Sequence, residues 1–275
     1  MNIQQKEPEM EKLLISDLHI ILVEPSDTQR KIITTLLLKE HVKEIDPVST
    51  LSEARSAVKA HGADLIVSAM YYEDGTALEL LKFIKEDDAF KTIPFMLVSS
   101  ENRLSKLEEF KQAGVAAILP KPFEPLHLSR ALNASLDLIN HDELELELFD
   151  VHDVRVLLVD DSKLARNHIR RVLEGMGLQR IKEAENGAMA LTFIKDEPFD
   201  LVVTDYNMPE MDGRELSEFI RFNPETTHIP IIMVTSESAD SAHMANIQQT
   251  GVNALCDKPF EPNEVRQMLS ALLGN

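Results

Sequence analysis

The amino-acid sequence predicts an α/β protein made of two doubly wound domains, each with a parallel sheet of five strands. Three observations support this prediction. The chain repeats itself, short apolar runs alternate with helical patterns, and 275 residues suffice for about two domains of ordinary size. Hydrophobic residues make up 44% of the chain and charged residues 27%, which is ordinary for a folded globular protein.

The two halves of the chain carry one pattern at a constant spacing. The segment Asp64-Leu-Ile-Val-Ser-Ala69 returns, 136 positions later, as Asp200-Leu-Val-Val-Thr-Asp205. After one extra residue, Lys121-Pro-Phe-Glu-Pro125 matches Lys258-Pro-Phe-Glu-Pro262. Because this period is longer than that of stacked solenoid repeats, each copy is expected to be a complete domain.

Strands and helices alternate within each copy. Short apolar runs at 154–159, 201–204 and 231–234 have the length and composition of strands buried on both faces. Helical spacing of apolar residues follows, for example over 164–173 and 265–272. This alternation predicts a parallel sheet with helices on both faces.

The boundaries follow from the repeat. We assign a tail to residues 1–16, the first domain to 17–139 and the second domain to 153–275. The segment between them, 140–152, alternates acidic residues with leucines. It fits either an extension of the preceding helix or a tether.

Charge and hydropathy exclude several classes of protein. A formal net charge of −19 and a pI near 4.8 would repel a polyanion, so direct binding of nucleic acid is not expected. Residues 1–12 lack the basic start and apolar core of a signal peptide, and no apolar run approaches the ~20 residues of a membrane span. We therefore expect a cytoplasmic protein that does not bind membranes.

Polar side chains follow the predicted strands of the second copy: Asp160, Asp161, Asp205, Thr235 and Lys258. The carboxyl ends of the strands in a doubly wound sheet meet at the edge where ligands bind. Three carboxylates packed together repel one another unless a cation lies between them, and an all-oxygen site that also contacts phosphate suits Mg²⁺. Taken singly, the first two acids would be read as helix caps and the lysine as a surface residue. Five such residues at four coincident strand ends favour a site.

Four motifs of the second copy closely resemble those of bacterial response-regulator receiver domains of the CheY-like type. They are Val156-Leu-Leu-Val-Asp-Asp-Ser162, Asp205-Tyr-Asn-Met-Pro-Glu-Met-Asp-Gly213, Val234-Thr-Ser236 and Lys258-Pro-Phe260. The resemblance implies a flavodoxin-like (βα)5 fold for each half. It also implies that Asp205 accepts a phosphoryl group from a histidine kinase or a histidine phosphotransfer protein.

The resemblance assigns further roles to individual residues. Mg²⁺ would be held by Asp161, Asp205 and the backbone carbonyl of Asn207, with Asp160 assisting through water.

Lys258 and Thr235 would bind phosphoryl oxygens. Two positions that tune phosphate lifetime in chemotaxis-type receivers are Asn207 and Glu237 here, and a fairly short lifetime is expected. Because the same site hydrolyses the acyl phosphate, the chain is expected to catalyse only its own phosphorylation and dephosphorylation and not to be a turnover enzyme.

The first copy carries different residues at the matching positions: Glu24, Pro25, Ala69, Ser99 and Lys121. Alanine cannot be phosphorylated and proline offers no metal ligand, so this copy resembles a degenerate receiver. An ion pair between its glutamate and its lysine is expected. A fold kept without its site often serves as an interaction surface, which here suggests docking or homodimerisation.

The leading interpretation is a response regulator in a two-component phosphorelay, which switches contacts with a downstream protein and has no attached effector domain. Two alternatives stay open: a relay intermediate that passes its phosphate to a histidine phosphotransfer protein, and a scaffold independent of phosphorylation. An aspartate-based phosphatase is disfavoured, because Asn207 stands where its Asp-x-Asp motif needs a second acid.

The first helix of the second copy is basic within an acidic chain, through Lys163, Arg166, Arg170 and Arg171. It could steer a kinase's phosphotransfer domain, or it could be a solvated helix face with (i, i+4) partners such as Glu174.

Overall fold

The computed structural model describes residues 12–140, 143–146, 150–236 and 251–274. Among these residues it contains two parallel sheets of five strands and one short two-stranded ribbon. The predicted fold class, two doubly wound flavodoxin-like domains, is confirmed.

The elements of the first domain are the strands β1 His19–Val23, β2 Glu44–Val48, β3 Leu65–Ser68, β4 Tyr71–Tyr72, β5 Gly75–Thr76, β6 Phe95–Ser99 and β7 Ala117–Pro120, and the helices α1 Asp27–Lys39, α2 Leu51–His61, α3 Ala77–Glu86, α4 Leu104–Gln112 and α5 Pro125–Asp137. The sheet order is β2-β1-β3-β6-β7, and β4 pairs with β5 in the ribbon.

The elements of the second domain are the strands β8 Arg155–Val159, β9 Arg180–Ala184, β10 Leu201–Asp205, β11 Ile231–Thr235 and β12 Ala254–Asp257, and the helices α6 Lys163–Gly175, α7 Gly187–Asp196, α8 Gly213–Phe222 and α9 Pro262–Leu273. The sheet order is β9-β8-β10-β11-β12, the same as in the first domain. Short 3-10 turns at Ile15–Asp17 and Val151–Asp153 precede the first strand of each domain.

Each sheet separates two apolar layers. In β8, Val156 and Leu158 pack into the layer that includes α6 and α9, while Leu157 and Val159 pack into the layer beneath α7 and α8. All four side chains are fully buried, and each contributes about 1.5–3 kcal/mol of transfer free energy. This two-sided burial explains why these strands read as continuous apolar runs.

The segment between the domains is neither a helix extension nor a free tether over the residues that the structure describes. Helix α5 ends at Asp137, and residues 143–146 are not helical. Leu144 is buried in the core of the second domain, and its N–H donates to the carbonyl of Met176 at 2.9 Å. The apolar leucine of this alternating segment therefore anchors it to the second domain.

The described part of the tail packs on the end of the first domain. The amide N–H of Leu13 donates to Asn140 Oδ1, and Asn140 Nδ2 donates to the carbonyl of Leu13, both at 2.9 Å. None of the described helices is both long and apolar enough to cross a membrane.

Candidate functional site

The carboxyl edge of the second sheet brings the predicted residues together. Asp205 and Thr235 are the last residues of β10 and β11, Asp160 follows β8, and Lys258 follows β12. The carboxylates of Asp160, Asp161 and Asp205 each offer an oxygen within 4.8 Å of the other two. The strand-end residues singled out in the sequence therefore lie together at one edge of the sheet.

Lys258 is the cation at the centre of this cluster. Its Nζ lies 2.9 Å from Asp160 Oδ2 and 3.0 Å from Asp205 Oδ2. Its backbone N–H donates to the carbonyl of Thr235 at 2.7 Å, which fixes the start of the loop that carries it. Lys258 is 4% exposed, Asp205 2% and Asp160 0%, so these charges meet away from water.

Burial dominates the titration of the site. It raises the pKa of Asp205 to about 6, with Lys258 opposing the shift and Asp160 adding to it. Burial likewise raises the pKa of Asp160. Burial lowers the pKa of Lys258, but the two carboxylates outweigh that effect and the net change is upward. The site contains three carboxylates and one lysine, so its negative charges outnumber its positive charge.

The residues fit a hard divalent cation such as Mg²⁺. Asp205 Oδ2 is buried and lies 3.0 Å from Lys258 Nζ, an ammonium that it shares with Asp160 Oδ2. One ammonium shared by two buried carboxylates leaves negative charge uncompensated, which is unfavourable away from water unless a further cation binds. Asp160 and Asp205 are buried and Asp161 is exposed, so a cation bound here could keep water ligands on the exposed side.

Local hydrogen bonds hold Asp160 in place. The N–H of Ser162 donates to Asp160 Oδ1 at 2.8 Å, and the Arg166 guanidinium donates to the Asp160 carbonyl at 2.6 Å. The hydroxyl of Ser162 also caps α6 by accepting from the N–H of Ala165. The acid is thus positioned by the turn that starts the helix.

The loop after β10 closes tightly on the site. The N–H of Gly213 donates to the carbonyl of Tyr206 at 3.0 Å, and a Cβ at position 213 would lie 2.1 Å from the carbonyl oxygen of Asp205. Glycine is therefore required there. Asn207 is exposed in this loop, and Glu237 lies outside the described residues. The metal-ligand role of Asn207 and the lifetime roles of both residues stay predictions.

The matching edge of the first sheet has the same local backbone arrangement as the site of the second domain, but it carries different side chains. The N–H of Ser26 donates to Glu24 Oε1 at 3.0 Å, as Ser162 does to Asp160. Lys121 Nζ lies 2.8 Å from Glu24 Oε2, so the expected ion pair is present.

The position that matches the acceptor aspartate is occupied by Ala69. Its carbonyl and that of Val23 each lie 2.9 Å from Tyr72 Oη, which shares its one proton between them. Ser99 ends β6 and donates to Met70 Sδ at 3.3 Å, and Pro25 is exposed at the start of α1. In the first domain, a tyrosine hydroxyl therefore contacts the backbone of the residue that matches the acceptor aspartate.

The basic helix α6 is engaged within the protein. Arg166 pairs with Glu183 and Glu185, while Arg170 pairs with Glu183 and Glu174. These ion pairs favour a structural role over a free steering surface.

One residue at the site was missed by sequence reasoning. Gln112, the last residue of α4 in the first domain, accepts a hydrogen bond through Oε1 from Lys258 Nζ at 3.1 Å. Sequence patterns contain no signal for this contact, because it depends on how two separately folded copies pack together.

Comparison with known proteins gives the same family for both halves. Residues 20–133 and 156–270 each match the response regulator receiver domain. The chain is 35% identical over 120 residues to the chemotaxis protein CheY-3 of Vibrio cholerae, covering 44% of this chain and 92% of that protein. It is 37% identical over 122 residues to the CheY homolog of Campylobacter jejuni, covering 44% and 93%.

Among solved structures, a putative two-component system response regulator/GGDEF domain protein is 26% identical, with 93% of this chain and 99% of that chain covered and a TM-score of 0.41. The two family matches span most of the residues that form the two sheets. The chain belongs to the response regulator receiver domain family, and it contains that domain twice.

Proposed function

We propose that this chain is a response regulator in which Asp205 accepts a phosphoryl group and thereby switches contacts with other proteins. The observation that carries the proposal is the geometry around Asp205. A buried carboxylate at the end of β10 lies 3.0 Å from a buried ammonium and beside two further acids. That set supplies a nucleophile, a phosphoryl-binding cation and metal ligands at one strand edge.

The transfer step is a displacement at phosphorus. A carboxylate oxygen of Asp205 attacks the phosphorus of a phosphohistidine, a P–O bond forms, and the P–N bond breaks. The bonding electron pair stays with the imidazole nitrogen of the donor. Lys258 and the hydroxyl of Thr235 would hold phosphoryl oxygens through charge and hydrogen bonding. The carboxylates of Asp161 and Asp205 and the backbone carbonyl of Asn207 would hold Mg²⁺, with Asp160 assisting through water. When bound, the ion would supply positive charge for those oxygens.

Hydrolysis of the acyl phosphate in the same site would reset the protein. The chain would then act as a timed switch, and its only catalysis would concern its own phosphate. We propose a histidine kinase or histidine phosphotransfer protein as donor and a downstream protein as target, with both encounters in the cytoplasm. The relatives named above are chemotaxis proteins, which makes a chemotaxis-type target one candidate.

The proposal assigns no phosphoryl transfer to the first domain. Ala69 offers no nucleophile, and Glu24, the acid that matches Asp160, is already paired with Lys121.

Intact-mass measurement after incubation with acetyl phosphate and Mg²⁺ tests the proposal. The 275-residue chain should gain one phosphoryl group, and Asp205→Asn should gain none. Asp196→Asn is a matched control, since it removes an exposed acid at the end of α7. Absence of modification in the wild-type protein would contradict the proposal and favour the phosphorylation-independent scaffold.

A further inference from the structure

Helix α4 of the first domain ends directly over the site of the second domain. Two groups of Gln112 contact site residues across the domain boundary. Its side-chain Oε1 accepts from Lys258 Nζ at 3.1 Å, and its backbone carbonyl accepts from Ser162 Oγ at 2.7 Å. The helix therefore meets both the phosphoryl-binding lysine and the turn that positions Asp160.

The contact continues along α4 toward the end of β11. Glu108 Oε1 accepts from the hydroxyl of Ser236, the residue after Thr235, and Lys111 Nζ donates to the carbonyl of Ser236 at 3.2 Å. Gln112 Nε2 donates to the same Glu108 oxygen at 3.2 Å. One face of α4 thus bridges the threonine and lysine sides of the site.

This docking leaves no room on the lysine for a ligand oxygen. An ammonium has three protons, and Lys258 Nζ already has three oxygens within 3.1 Å, from Asp160, Asp205 and Gln112. A phosphoryl oxygen that binds Lys258 must displace one of them. The amide of Gln112 is the only uncharged one of the three, so it is held least strongly.

We propose that the first domain is an internal ligand of the phosphorylation site, and that its docking through Gln112 and phosphorylation of Asp205 exclude each other. The inference rests on the proposed function of Asp205. With the first domain docked, Asp205 is 2% exposed and Lys258 4%. A donor domain that must bring its phosphohistidine to Asp205 needs the surface that α4 covers. Displacement of α4 by the phosphoryl group then couples modification to separation of the domains.

The docking surface extends well beyond the site. The guanidinium of Arg171 in α6 donates to the carbonyls of Thr92 and Leu138, both in the first domain. Leu164 of α6 packs against the apolar core of the first domain. Gly114 allows this approach, since a Cβ there would lie 3.1 Å from the carbonyl oxygen of Leu164. Contacts remote from Asp205 therefore contribute to the docked state.

The test compares the wild-type chain of both domains with Gln112→Ala and Arg171→Ala. Gln112→Ala removes the amide from Lys258, and Arg171→Ala weakens docking at a distance from the acceptor. Arg170→Ala is the matched control, because Arg170 is next to Arg171 in α6 but pairs with Glu183 and Glu174 of its own domain. Thermal melts confirm that each variant is folded.

The measured quantity is the rate at which acetyl phosphate with Mg²⁺ modifies each protein, followed by intact mass. Both Gln112→Ala and Arg171→Ala should be modified about tenfold faster than wild type, as expected when one interface contact of about 1.4 kcal/mol is lost. Arg170→Ala should match wild type. Solution scattering of the wild-type protein with beryllofluoride and Mg²⁺ should show an increased radius of gyration.

Equal rates in wild type, Gln112→Ala and Arg171→Ala would overturn the inference while leaving Asp205 as the acceptor. Full modification of Asp205 with unchanged scattering would overturn it as well. Absence of modification in every protein would overturn both this inference and the function on which it rests.

Discussion

Lys121 Nζ lies 2.8 Å from Glu24 Oε2 in the first domain, and this ion pair repeats the 2.9 Å contact between Lys258 and Asp160 in the second. In the first domain the lysine and the glutamate balance each other. In the second, the same lysine position faces additional carboxylates. The two sheet edges share a backbone arrangement and differ in the number of carboxylates. Matching substitutions in the two domains can therefore separate the contribution of the backbone arrangement to stability from that of the buried charges.

Mg²⁺ should stabilise the second domain through its three carboxylates. We expect the melting temperature of the wild-type protein to rise on adding Mg²⁺, because a ligand that binds only the folded state stabilises it, by about 2.7 kcal/mol at a hundredfold excess over Kd. Asp205→Asn should lose most of this shift. Glu24→Gln is the control and should keep it; loss of the shift in that variant instead would contradict the assignment of the site.

Asp205→Asn should be more stable than wild type in metal-free buffer at pH 7. The folded-state pKa of Asp205, raised to about 6 by burial and by Asp160, means that the folded protein binds more protons than the unfolded chain between about pH 4 and 6. Ionisation therefore destabilises the fold progressively across that window and by a constant amount above it.

Because the amide cannot ionise, we expect a gain on the order of 1–3 kcal/mol at pH 7, which shrinks as the pH falls through 6 toward 4. Chemical unfolding at several pH values with chelator present measures it. A gain that does not change with pH, or a less stable Asp205→Asn, would refute the electrostatic explanation.

Removing the two matching lysines should have unequal effects. Lys258→Met leaves two buried carboxylates without their cation and should destabilise the protein by about 3 kcal/mol or more. Lys121→Met leaves one buried carboxylate, Glu24, beside a lysine position whose side chain is 22% exposed, so a smaller loss of about 1–2 kcal/mol is expected. Urea unfolding measures the loss of stability in both variants. Equal losses would show that the shared backbone arrangement, and not the number of buried carboxylates, determines the stability.

An aspartate placed at the acceptor position of the first domain should not make that domain accept a phosphoryl group. In Ala69→Asp the new carboxylate would meet Glu24 and Lys121, but Pro25 still offers no metal ligand. Acetyl phosphate should therefore modify this variant once, at Asp205. A second phosphoryl group in the intact mass would show that the first domain lacks only its nucleophile.

The fold and the second domain's site were predictable from the sequence because both depend on local patterns. Apolar runs such as 154–159 mark strands that are buried on both faces, and parallel strands bring their carboxyl ends to one edge. Asp160, Asp205 and Lys258 therefore meet, although they are far apart in the chain. The strand observed there, Arg155–Val159, begins one residue later than the apolar run.

Features that depend on packing between distant elements could not be predicted from the sequence. Arg166 belongs to a basic helix, yet it is 5% exposed and bound to glutamates that no helical spacing connects to it. Leu144 lies in an acidic segment but is buried. Gln112 is an ordinary polar residue at a helix end, and its contact with Lys258 exists only because the two domains dock.

The most direct test of the central claim is to locate the modified residue. After acetyl phosphate and Mg²⁺, borohydride reduction converts an aspartyl phosphate to homoserine, and peptide mass spectrometry reads its position. We expect homoserine at position 205 and at no other aspartate. Homoserine at position 160 or 161 with position 205 unchanged, or an unmodified peptide map, would contradict it.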